Sequence, residues 1–119
     1  MNKSFSQDFY RYYASEFKNK DILKIIFNHG LRFLYFFRKY KNSNNKLLKL
    51  FCKIFLRQIR LKYGIEICLG TKIGKGFYIG HPYNITINPN AILGNNINIH
   101  KGVTIGQENR GGGEKVFLT

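Results

Sequence analysis

The chain changes its hydrophobic rhythm once, at Gly64. Before that point apolar residues return every three or four positions, the spacing of one helical face. Phe9, Tyr13 and Phe17 mark a first short helix over about Ser6 to Phe17. A second runs from Asp21, a candidate N-cap, towards Lys41. Its apolar positions Ile22, Ile25, Ile26, Leu34 and Phe37 fit helical spacing, and His29-Gly30 offers a break. The polar run KNSNNK is a loop. A third helix starts at Asn44 or Asn45, carries Leu47, Leu50, Phe51, Ile54, Phe55 and Ile59 along one side, and stops at Gly64. Each piece needs a partner surface, because isolated helices of this length are marginal in water.

Beyond Gly64 the inward aliphatics are Ile67, Ile73, Ile79, Ile87, Leu93, Ile99 and Ile105. Every step is six residues except one of eight, between Ile79 and Ile87. An aliphatic, aromatic or small residue stands two places before each: Ile65, Thr71, Phe77, Ile85, Ala91, Ile97 and Val103. Glycines gather at the turns between. A period of six fits no helix, and it cuts ordinary strands very short. It predicts a solenoid in which one short strand and one corner repeat and matching positions stack. The fold class is therefore α+β: a helical region over 1–64, the hexad coil over 65–110, and an irregular tail over 111–119.

Composition adds one asymmetry. The formal charge is +14, and fifteen of the twenty lysines and arginines lie before Gly64. Such a patch attracts nucleic acid, anionic lipid or phosphorylated ligands, or simply keeps helix faces solvated. The aromatics take helix-core spacing and no nucleic-acid motif is present, so no nucleic-acid partner is expected. With 44% hydrophobic and 16% aromatic residues the chain is not a disordered one. Cys52 and Cys68 have no metal-ligand spacing and read as reduced thiols; no metal is expected. The N-terminus lacks an apolar leader, and no apolar run approaches the roughly 20 residues of a membrane span. A cytoplasmic location without a membrane span follows as the expectation.

IxxGTKIGKGFYIG and INPNAILGNNINIHKGVTIG resemble the hexapeptide-repeat acyltransferases, and within them the serine acetyltransferase branch. The resemblance is strong from Gly64 to about Arg110 and much less specific in GLRFLYFFRKYK upstream. It implies a short left-handed parallel β-helix with three hexads per coil, preceded by helices. It also implies acetyl-CoA as acetyl donor, a small hydroxyl acceptor (serine, as in cysteine biosynthesis, or a sugar), and a homotrimer.

The step of eight places Gly80-His81-Pro82-Tyr83-Asn84 in a bulge at a coil corner. Acetyl transfer from a thioester to an alcohol requires a base for the alcohol's proton, and imidazole titrates near neutrality. The resemblance makes His81 the catalytic histidine and Glu66 the carboxylate that orients it, one methylene longer than the family's aspartate. It also marks two departures. Gly80 stands where the family has an acid that contacts the amino group of serine. Arg110 alone remains of an arginine–histidine pair used in substrate binding. His100 reads as a solvated or turn-bonded corner residue, and His29 is assigned no role. The repeat ends after Gly106, about two coils in, and GGGEKVFLT departs from the pattern. The expectation is a truncated or frameshifted product, with an inactive remnant as the alternative to an acetyltransferase.

Overall fold

The computed structural model describes residues 3–105 and 117–118. Its helices are α1 (Lys3–Tyr13), α2 (Ile22–Phe27), α3 (His29–Asn42) and α4 (Lys46–Tyr63). The first ends earlier than its apolar spacing predicts, because Ala14 turns into the left-handed region at φ 54°. The long second helix divides. A 3-10 turn at Asn19–Asp21 leads into α2, and Asn28 is extended (φ −106°, ψ 113°) before α3 begins. The Asn28 side chain accepts a hydrogen bond from Leu31 N–H and so caps α3. Asn45 does the same for α4 through the amides of Leu47 and Leu48, and Gly64 closes that helix at φ 72°.

Seven short strands follow in sequence: β1 (Ile65–Ile67), β2 (Lys72–Ile73), β3 (Tyr78–Gly80), β4 (Ile85–Ile87), β5 (Ile92–Leu93), β6 (Asn98–His100) and β7 (Thr104–Ile105). They form three narrow parallel sheets, so the chain visits each side of a triangle in turn. β1, β4 and β7 make one side, β2 and β5 the second, β3 and β6 the third. The registers report the two rhythms directly. Ile65 pairs with Ile85, twenty residues on, across the step of eight; Thr86 pairs with Thr104, eighteen residues on, where every step is six. Like stacks on like along the inside: Ile67 beside Ile87 beside Ile105, Ile73 beside Leu93, Ile79 beside Ile99. Full burial of such a side chain, as at Ile79, Ile87, Leu93 and Ile99, contributes about 1.5–3 kcal/mol.

Of the tail read as irregular, only residues 117–118 are described. Phe117–Leu118, here β8, pairs in parallel with Ile92–Leu93 of β5 and adds a third rung to that side. Two adjacent apolar residues suffice for a rung whose neighbour supplies the hydrogen-bonding edge.

The helices cover the open rim of the first coil. Asp8 and Arg38 form a bidentate ion pair, at 2.8 and 3.1 Å, and both are buried. Arg38 also donates to the carbonyls of Ile73 (2.7 Å) and Gly74 (2.6 Å), while Asp8 accepts from Phe77 N–H (2.9 Å). The Tyr12 hydroxyl donates to Ile79 O (3.2 Å) and accepts from Ile79 N–H (3.0 Å). These side chains satisfy backbone groups that have no strand beyond them. Gly30 permits the fit, since a Cβ there would meet the Tyr12 hydroxyl at 2.8 Å and Ile79 O at 3.0 Å. The helical region is thus anchored on β3, the strand that leads into His81.

α4 carries more apolar surface than the core takes. Cys52, Leu56 and Ile59 are buried, whereas Leu47, Leu50, Phe51, Ile54, Phe55 and Leu61 stay about half exposed or more. Its apolar face is two stripes, and the chain's own core uses the narrower one. Among the described residues no helix is long and apolar enough to cross a membrane.

Candidate active site

The bulge between β3 and β4 is built from both neighbours of the coil. Beneath it, Asn84 N–H donates to Tyr63 O and Ile85 N–H to Gly64 O, both at 3.0 Å, so the bulge rests on the end of α4. Above it, Gly102 N–H donates to the carbonyls of Tyr83 (3.2 Å) and Asn84 (3.0 Å). Within it, Tyr83 N–H bonds His81 O at 2.8 Å. His81 and Asn84 both adopt left-handed backbone, at φ 49° and 54°. Such conformations cost about 1–3 kcal/mol for a non-glycine residue and persist where the surroundings over-determine them. The effect is to lift His81 off the stack with its side chain exposed.

His81 faces an open cleft of about 580 Å³ between the bulge and α2, lined also by Tyr13, Lys24, Phe27, His29 and Tyr83. His29 stacks on Tyr63 at 4.0 Å between centroids, and Tyr83 meets that pair edge-on, 6.1 Å from His29. Arg32 Nη2 lies 3.1 Å from His29 Nδ1. A guanidinium only donates, so Nδ1 accepts and the other ring nitrogen carries the proton. Burial, then repulsion by Arg32 and Lys62, holds this imidazole below its ordinary titration range. His29, read as having no role, therefore shares the cleft with His81. Its position two residues before Leu31 carried no sign of this, because only the fold brings α3 to the bulge.

Glu66 sits on the outward face of β1, exposed, with Thr86 beside it in β4. Among the described residues no ion pair or hydrogen bond joins it to His81. Gly80 is buried in β3 opposite His100 of β6. A Cβ at Gly80 would meet Nδ1 and Cε1 of the His100 ring, so that ring occupies the space a side chain there would need. The rings of His81 and His100 lie 6.5 Å apart. The signal for this second histidine in the sequence is the register, which pairs Gly80 with His100 twenty residues on. Arg110 lies outside the described residues. Among the described residues no group of three or more histidine, cysteine or acidic side chains could hold a metal ion.

Solved structures share this fold. Serine acetyltransferase 1 of Entamoeba histolytica, in complex with L-cysteine, superposes with a TM-score of 0.65 at 20% identity, over 94% of this chain and 43% of that one. Its fold is that of the serine acetyltransferases. The enzyme of Neisseria gonorrhoeae agrees, with a TM-score of 0.63 and 22% identity over 94% of this chain and 44% of that one. Sequence relatives carry the same name. The serine acetyltransferase of Bacillus licheniformis is 44% identical over 43 residues, 36% of this chain and 20% of its own. The chloroplastic serine acetyltransferase 1 of Arabidopsis thaliana is 29% identical over 73 residues, 61% of this chain and 22% of its own. The chain thus spans about a fifth of these sequence relatives and under half of the solved structures. No protein-family model matches it.

Proposed function

We propose that the chain belongs to an O-acetyltransferase of the serine acetyltransferase type, moving acetyl from acetyl-CoA to a hydroxyl acceptor. The carrying observation is His81: an exposed imidazole, raised by the one irregular step of the coil, beside an open cleft. In this reading His81 takes the acceptor's hydroxyl proton as its oxygen bonds the thioester carbonyl carbon. The carbon–sulfur bond breaks, and the leaving thiolate recovers that proton as the thiol. Holding the two reactants at one corner supplies proximity.

In this reading Glu66, exposed on the outward face of β1, is the positioning residue for His81. The three-sided coil is left-handed in this reading, with the helical region ending at residue 64. The phosphates of acetyl-CoA suit a chain of formal charge +14. The open apolar stripe of α4 supports assembly into a symmetric oligomer, which the resemblance makes a homotrimer. Free thiols at Cys52 and Cys68 suit a reducing, cytoplasmic setting.

Thiol release from acetyl-CoA in the presence of hydroxyl acceptors tests the reading. His81→Ala should lower kcat by about 10²–10⁴-fold while circular dichroism stays unchanged. Equal acceptor-dependent turnover by the variant would remove His81 from the chemistry. Glu66→Gln should cost less than His81→Ala and shift the pH–rate profile, as loss of an orienting charge does.

A further inference from the structure

We infer that α4 docks the chain on an anionic lipid surface, lying along it with its open apolar stripe among the headgroups. The inference does not depend on the chemistry at His81. α4 has 18 residues, a length of about 27 Å. Its sequence, KLLKLFCKIFLRQIRLKY, holds six cations and no acid. The core takes Cys52, Leu56 and Ile59. Leu47, Leu50, Ile54 and Leu61, at spacings of three, four and seven, form an open row with Phe51 beside it, each about half exposed or more. Lys46, Lys53, Arg57 and Arg60, all exposed, run along one edge of that row, and Lys62 stands on the other. Between the longer row of cations and β1 lies an open groove of about 480 Å³. Lys53, Arg57 and Arg60 line it together with Ile65, Ile67 and Leu69.

Cations alone would mark a solvated helix face, but a contiguous apolar row between them marks a surface that meets something. Apolarity by itself suits a second copy of the chain as well as a lipid surface. The charges separate the two. Stripe against stripe, two copies of α4 set six cations against six, with no acid in either helix to pair them. Between Asp21 and Glu108 the chain holds a single acid, Glu66. Among the described residues the only ion pairs join Lys24 to Asp21 and Arg38 to Asp8, so the cations of α4 are left for an outside partner. An anionic lipid surface answers both features at once. Leucine, isoleucine and phenylalanine enter the boundary between headgroups and acyl chains, while lysine and arginine stems extend to the phosphates. The groove beside β1 gives one headgroup three cations over an apolar floor.

Co-sedimentation of the full chain with vesicles tests this, comparing phosphatidylcholine alone with an equal mixture of phosphatidylcholine and phosphatidylglycerol. The chain should partition onto the mixed vesicles and weaken with added salt. Lys53→Gln, Arg57→Gln and Arg60→Gln together should lower the affinity on the order of a hundredfold. The charge-matched set Lys20→Gln, Lys72→Gln and Lys75→Gln, away from α4, should lower it far less. Phe51→Ser with Ile54→Ser changes only exposed positions and should cost about tenfold or more, with circular dichroism unchanged. The chain has no tryptophan, so Phe51→Trp gives a single reporter whose emission should shift to the blue on mixed vesicles. Equal losses from the two charge sets would show diffuse attraction to a chain of charge +14 and overturn the inference. Full binding by the serine pair, or an unshifted tryptophan, overturns it too, because the stripe would then lie outside the lipid. A chain that ignores vesicles also overturns it. In that case self-association abolished by the serine pair assigns the stripe to a second copy, and retention on DNA assigns the cations to nucleic acid.

Discussion

Inside the coil a side chain meets its own kind: Ile67 lies against Ile87, and Ile87 against Ile105. At the join between helices and coil the contacts are polar and unlike. Asp8, Tyr12 and Arg38 reach from α1 and α3 to carbonyls and amides of residues 73, 74, 77 and 79. The difference follows from what each surface presents. The matching inward positions of the coil offer mainly aliphatic side chains, which stack wherever the period is kept. A coil rim offers bare backbone groups, and those need specific donors and acceptors at fixed places. Repetition holds the coil; individual bonds hold the cap. The two regions should therefore respond very differently to single substitutions.

The largest effect belongs to the join. Asp8→Ala leaves Arg38 buried without its carboxylate and Phe77 N–H without its acceptor. Removing one partner of such a pair costs about 3–5 kcal/mol. Urea unfolding should show a midpoint lowered accordingly, in a fold whose total stability is on the order of 5–15 kcal/mol. A loss below about 1 kcal/mol, the worth of an exposed pair, would mean that the join is solvated and the cap only loosely seated.

Within the coil the same measurement should be forgiving. Ile87 is 2% exposed and sits mid-ladder, yet Ile87→Val removes one methylene from a stack of similar neighbours. The expected cost is about 0.5–1.5 kcal/mol. A loss as large as that of Asp8→Ala would show that the ladder is a fitted core rather than a repeat.

This contrast also separates what could be read from the sequence from what could not. The steps of six and the single step of eight announced the rungs, the corner and His81, because stacking imposes one residue class at each matching position. The helices were equally visible as amphipathic runs, though not their partners. Leu47, Leu50, Phe51, Ile54, Phe55 and Ile59 read as one apolar side of α4, yet the chain's core takes Cys52, Leu56 and Ile59. Periodicity reports that a face is apolar and says nothing of which neighbour covers it. Asp8 and Arg38 stand thirty residues apart with no local pattern, so their pairing exists only once the coil rim is present. The site divides the same way. His81 is written in the rhythm, while His29 and the ring of His100 over Gly80 enter through packing and register.

The smallest effect lies where cap and bulge meet, and it depends on pH. His29 is held neutral in the fold, first by burial and then by the charges of Arg32 and Lys62, below an ordinary pKa of 6.5. Above about pH 6.5 the imidazole is neutral whether the chain is folded or not, and its contribution to stability is fully present. As pH falls below that value the unfolded chain binds the proton first, so stability is lost progressively towards the lower pKa of the folded state. Protonation would also turn Nδ1 from acceptor into donor, against an Arg32 that can only donate. The melting temperature should therefore drop between pH 7 and pH 5 in the wild-type chain, and less steeply in His29→Gln, whose amide oxygen accepts from Arg32 without titrating. Parallel profiles for the two proteins would show that the histidine is not the group responsible, and that α3 contacts the bulge without any electrostatic coupling through this ring.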